Sequence, residues 1–106
     1  MKVKVYMQTL TDSHVLYVND AKRNYVLVDT KETAYPADLF IFTILDMVSD
    51  WPKELKNKDI YDGLTYKIII SNNKEEKTYL FQNKFPNDIF RLKQLINEVL
   101  EGVKDV

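Results

Sequence analysis

Residues 79–103 read YLFQNKFPNDIFRLKQLINEVLEGV, and the apolar period changes half-way along them. Tyr79 and Phe81 share one side of an extended run, and Asn83 follows at the same parity where the run should stop. From Ile89 onward, Leu92, Leu95, Ile96, Val99, Leu100 and Val103 form one stripe, while Arg91, Lys93, Gln94, Asn97, Glu98, Glu101 and Lys104 fill the remaining surface. That pattern predicts an amphipathic helix of about four turns, with Gly102 near its end where a left-handed stop is favoured. In between, Pro86 sets the start of the helix, and Asn87 or Asp88 offers an acceptor to its first amides. Phe85 is placed to pack back on Phe90 or Ile89 as a hydrophobic staple. The segment NKFPNDIF therefore reads as a structural joint between strand and helix.

Upstream, LTYKIII at 64–70 sets Leu64, Tyr66, Ile68 and Ile70 against Thr65, Lys67 and Ile69, and the polar SNNKEE joins it to the next run as a hairpin. Asp62-Gly63 is a turn signal, since glycine accepts a positive φ. Residues 52–63 form the most polar stretch and read as a connection. At the N-terminus, Val3, Val5 and Met7 alternate with Lys4 and Tyr6. HVLYV at 14–18 and YVLV at 25–28 are two further strand runs, so a meander is expected. Beyond Tyr35-Pro36 the period becomes helical: Phe40, Ile41, Ile44, Val48 and Trp51 recur at three and four, with Thr33 as the available cap. Leu39, Phe42, Leu45 and Met47 make this helix apolar around most of its girth. Such a helix is either central and covered on several sides, or a partly exposed interface.

The chain of 106 residues has room for one domain, and its 45% hydrophobic and 12% aromatic content is that of a folded globule. There is no cysteine, which rules out disulfides and thiolate chemistry, and the two glycines rule out a phosphate-binding loop. The one histidine, His14, lies in a strand run and is expected to be half-buried. Asp46 and Asp50 share a helix face, and Asp59 and Asp62 flank the turn, yet neither pair has a third convergent ligand in the sequence. No metal, no cofactor and no catalytic residue is expected. The N-terminus alternates where a leader would be unbroken and apolar, so a soluble cytoplasmic protein is the expectation. With two arginines and a formal charge of -1, nucleic acid is not an expected partner. Seven tyrosines read first as strand packing.

Part of the chain resembles a pattern found in small uncharacterised bacterial proteins of similar length. The matching residues are Trp51, Asp62-Gly63, Tyr66 with the strand Lys67-Ile68-Ile69-Ile70, Asn83, Phe85-Pro86, and Leu92 with Leu95 and Ile96. Tyr66 stands where tryptophan is usual. The resemblance covers roughly the C-terminal half and consists of structural punctuation, so it implies no activity and assigns no functional residue.

Together these readings predict a single α+β domain over residues 1–106, an antiparallel sheet of about five strands with two helices packed on it, in the order βββαββα. Between Glu32 and Asp50 the charged residues are Glu32, Asp38, Asp46 and Asp50, with no lysine or arginine. An acidic helix in a small chain without catalytic chemistry is expected to bind protein, as a toxin immunity protein or similar inhibitor would. Tyr35, Asp38, Asp46, Asp50 and Tyr61 are the expected contacts, with a basic toxin or nuclease as partner. Self-association, and a small hydrolase built on Asp59 and Asp62, are the alternatives.

Overall fold

The computed structural model describes residues 1–57 and 63–104. Its element order is β1 (Lys2–Gln8), β2 (Ser13–Asn19), β3 (Tyr25–Val28), β4 (Lys31–Pro36), α1 (Ala37–Val48), β5 (Glu54–Lys56), β6 (Thr65–Ser71), β7 (Glu76–Gln82) and α2 (Phe90–Glu101). The strands form one seven-stranded sheet in the order β4-β3-β2-β1-β6-β7-β5. All neighbours are antiparallel except β5, which runs parallel to β7. The α+β class and the two helices are as the periodicity predicts. The sheet is larger than expected and mixed, and the order is ββββαβββα.

Both extra strands come from stretches whose composition hid them. β4 pairs with β3 through a two-residue turn, Asp29-Thr30, in which both φ values are positive, 49° and 72°. Two-residue hairpins need that sign to match strand twist, and glycine usually supplies it. Here Asp29 holds the conformation through its carboxylate, which accepts the Val15 amide at 2.8 Å and lies 2.7 Å from His14 Nδ1. β5 is three residues, Glu54-Leu55-Lys56, held by backbone bonds to β7, with Leu80 N donating to Lys53 O at 2.8 Å. Short, charged strands at a sheet edge resist further pairing. At the opposite edge, Ala34 N bonds Gly102 O and Lys104 N bonds Glu32 O, so the chain after α2 covers β4.

Thr33 is not the cap of α1. It is fully buried in β4, where its hydroxyl donates to the Val26 carbonyl at 2.7 Å and accepts the Tyr35 amide at 3.2 Å. A register shift between Tyr25 and Leu27 takes Val26 out of the β3–β4 ladder, and the hydroxyl supplies the partner its carbonyl needs. α1 starts from Pro36 with no side-chain cap.

One hydrophobic cluster unites Val3, Val5, Leu16, Val18, Val26, Val28, Tyr66, Ile68, Ile70, Tyr79 and Phe81 from the sheet with the inner faces of both helices. Those strand residues all lie on one side of the pleat, so α1 and α2 cover the same face and leave the other open. From α2, Leu92, Leu95, Ile96 and Val99 are buried, the core of the predicted stripe. The joint before it works differently from the expectation. Asp88 accepts Trp51 Nε1 at 2.7 Å instead of capping α2, which has no side-chain cap. Phe85 packs edge-on against Tyr66 at 5.8 Å, and Phe90 is left 62% exposed, so Phe90 is not its staple partner. Asn83, at φ 57°, ends β7 and accepts the Leu64 amide through Oδ1.

Neither glycine has a positive φ. Gly102 closes α2 at φ -86°, so the expected left-handed stop is absent. At Gly63 a Cβ would lie 1.8 Å from Asn83 Oδ1, so the requirement there is close approach and not backbone freedom. Asp62 lies outside the described residues, as do Asp59 and Tyr61.

Candidate protein-docking surface

α1 buries Ala37, Phe40, Ile41, Ile44, Met47 and Val48. On a 3.6-residue repeat these occupy one half of the helix, which leaves Asp38, Leu39, Phe42, Leu45 and Asp46 on the other. Of the two possibilities for so apolar a helix, the structure has the exposed one. Phe42 is 70% exposed, Leu39 48% and Leu45 38%. Asp38, Phe42 and Asp46 succeed one another at intervals of four, so they form a single ridge with Phe42 between two carboxylates, and Asp50 follows two residues past the end of the helix. Leu39 and Leu45 flank that ridge on either side. Leu45 and Val48 also line a cleft of about 260 Å³ against Ile70 and Tyr79, with Glu75 and Lys77 at its mouth.

Asp38 and Asp46 share the ridge and Asp50 lies beyond its C-terminal end, and their charges are not equivalent. Asp46 Oδ2 accepts Arg91 Nη2 at 2.8 Å, and Arg91 Nη1 lies 3.6 Å from Asp88. The hydrogen bond to Asp46 and the two nearby carboxylates push the Arg91 guanidinium further up from its already high value. Asp46 is therefore ion-paired, whereas Asp38 and Asp50 have no ion-pair partner among the described residues. Asp38 sits in the first helical turn, where the helix dipole favours an anion. Asp50 follows the C-terminal end, where it does not, and has no ion-pair partner among the described residues. Glu32, the fourth acid of the block, belongs to β4 and lies 3.8 Å from Arg23, away from this ridge.

Tyr35 lies near the end of β4, just before α1. It is half-buried, edge-on to Phe40 at 6.3 Å, and burial, with a contribution from the Glu98 charge, raises its phenol above the ordinary value. Its packing against the core follows from its parity with Thr33 on β4. Sequence reasoning missed the bond from Arg91 to Asp46, which ties the start of α2 to the ridge.

No family model, no curated protein and no solved structure matches this chain. The surface must therefore be judged by its chemistry. Exposed apolar side chains beside carboxylates bind by burying area and by pairing charge. Elsewhere, His14 and Asp29 form the only His–carboxylate contact among the described residues, and no three His, Asp or Glu side chains converge there.

Proposed function

We propose that this protein is a non-catalytic binding module that engages a basic protein through the outer face of α1, as a small inhibitor of the toxin-immunity kind does. The observation that carries the reading is Phe42, 70% exposed on a ridge between Asp38 and Asp46. A solvated helix would place polar residues at that position and at Leu39 and Leu45. Phe42 serves as the anchor, the neighbouring cleft takes an apolar side chain of the partner, and Asp38 and Asp50 speed association with a positively charged surface. Inhibition would follow from steric cover of the partner's basic site.

The test is capture of binding proteins on the tagged chain, followed by titration of the purified partner against wild type, Phe42→Asp and the double variant Asp38→Lys/Asp50→Lys. A basic partner should bind at least about tenfold more weakly to Phe42→Asp, because truncating a central aromatic anchor costs about 2 kcal/mol or more. The double variant should slow association chiefly. Equal affinity for all three proteins would remove α1 from the interface. Should the chain capture only itself, with a solution mass that falls in Phe42→Asp, the same apolar face would instead be a self-association surface.

A further inference from the structure

Because both helices lie on one side of the sheet, the other side is bare, and its composition is unlike that of an ordinary solvated face. The central strands β2, β1 and β6 present Ser13, Val15, Tyr17 and Asn19, then Lys2, Lys4, Tyr6 and Gln8, then Thr65, Lys67, Ile69 and Ser71. Three lysines stand there and not one carboxylate. Register sets them beside the tyrosines: Tyr6 lies between Val15 and Lys67, and Lys4 lies between Tyr17 and Ile69. Lys67 Nζ sits 5.9 Å from the Tyr6 ring and Lys4 Nζ 5.5 Å from the Tyr17 ring. A third pair, Lys104 on Tyr25 at 5.3 Å, continues the arrangement at β3, where Tyr25 is 47% exposed.

We propose that this face binds single-stranded nucleic acid, a function separate from the α1 surface. Tyr6 and Tyr17 are diagonal neighbours on adjacent strands, about 7–8 Å apart. Two rings so placed on a sheet offer stacking platforms for successive unpaired bases. Beside Tyr17, a cleft of about 440 Å³ bounded by Lys4, Val15, Leu27 and Thr30 accepts one base edge-in. Asp29 at its rim, bonded to His14 and the Val15 amide, still repels phosphate, which leaves the phosphates to the lysines of β1 and β6. Lys2, Lys4 and Lys67 lie within reach of the phosphates between such bases. The acids of this face, Glu32, Glu54 and Glu76, stand on the outer strands β4, β5 and β7, and the aromatic rings and cations at its centre fit a polyanion that also has flat faces to stack. An acidic protein would use the lysines but has no need of the two rings. The acidic ridge of α1 is on the far side of the sheet, so the overall charge of -1 does not oppose approach to this face.

Fluorescence anisotropy of a short labelled oligouridine with the full chain tests the proposal, with heparin and polyglutamate as non-stacking polyanions. The expected result is binding at low salt whose logarithm falls with log salt with a slope of about -2, as three neutralised phosphates on a single strand give. Tyr6→Ala and Tyr17→Ala should each weaken it about tenfold, and Tyr6→Phe should leave it nearly intact. Lys67→Gln should make the salt slope shallower, while Lys93→Gln on α2, on the opposite layer, changes nothing. All are surface substitutions, and circular dichroism checks that each variant is folded. Absence of binding at low salt overturns the proposal. So does equal binding of polyglutamate that is indifferent to both tyrosines, which would assign the lysines to an acidic protein.

Discussion

On β7, Phe81 is fully buried against Trp51, with ring centroids 5.6 Å apart, while Leu80 beside it is half-buried on the opposite side of the sheet. The contrast holds along every central strand: Val5 against Lys4 and Tyr6, Ile68 against Lys67 and Ile69. On the covered side the side chains must exclude water, so they are aliphatic or aromatic, and the polar exceptions are bonded. The open side needs only solubility, yet it retains Val15, Leu27, Ile69 and Leu80 and decorates them with lysine and tyrosine. An antiparallel sheet tolerates one wet face, and polar residues normally fill it. The difference teaches that stability accounts for one face alone, and the residues of the other are open to selection for contact.

Substitution of neighbours on one strand puts the comparison at risk most directly. Phe81→Ala should lower unfolding free energy by about 3–5 kcal/mol, as for a fully buried aromatic. Leu80→Ala should lower it by about 1 kcal/mol or less. Urea denaturation monitored by Trp51 fluorescence measures both. Equal losses would mean that something packs on the open side as tightly as the helices pack on the other.

Threonine makes the same point with a hydroxyl. Thr33→Val on the covered side strands the Val26 carbonyl and the Tyr35 amide, a loss of about 1–3 kcal/mol for buried groups left without partners. Thr78→Val, exposed on the open side of β7, should fall within about 0.5 kcal/mol of wild type and even gain slightly from strand preference. A comparable loss at both positions would deny that burial separates the faces.

How far these faces could be read in advance depended on whether the signal was periodic or depended on register. Alternation at Val3, Val5, Tyr66, Ile68, Tyr79 and Phe81 and the stripe of α2 announced the covered side, because burial imposes a period on sequence. β4 escaped because its turn, Asp29-Thr30, has no glycine, and because Glu32, Thr33 and Tyr35 also look like the approach to a helix. β5 escaped because three edge residues carry no period. The apolar outer face of α1 was visible as an excess of Leu39, Phe42 and Leu45, but packing had to decide whether anything covered it. Nothing in the sequence pairs Arg91 with Asp46, or Lys67 with Tyr6. Those contacts exist only once helix placement and strand register are set.

The turn at the rim of the open face offers a smaller test, of opposite sign. Thr30 is β-branched and holds φ at 72°, a conformation that costs a side-chain-bearing residue about 1–2 kcal/mol. Thr30→Gly should relieve that strain, partly offset by the greater freedom of glycine in the unfolded chain, for a net gain of about 0.5–1 kcal/mol. Differential scanning calorimetry should show a raised melting temperature. A fall would indicate that the Thr30 side chain contributes more to the rim of the cleft than its backbone costs.

Asp29, one residue earlier, gives the smallest effect and the one that depends on pH. Burial works against its ionisation, but the hydrogen bonds from His14 and the Val15 amide, with the charges of His14 and Lys31, outweigh it and hold the carboxyl below its ordinary value. A carboxyl depressed in the folded state contributes stability above its unfolded pKa of about 3.9 and loses it as pH falls through the folded value. Asp29→Asn removes that contribution while keeping an oxygen for the Val15 amide. Wild type should therefore exceed the variant at neutral pH, with the gap closing below about pH 4. Its side chain is 42% exposed, so solvent screening limits the gap to about a few tenths of a kcal/mol. Parallel urea titrations across that range measure it. The absence of any gap at neutral pH would show that the charge of Asp29 does not hold the turn, and that the positive φ values rest on the hydrogen bond to Val15 alone.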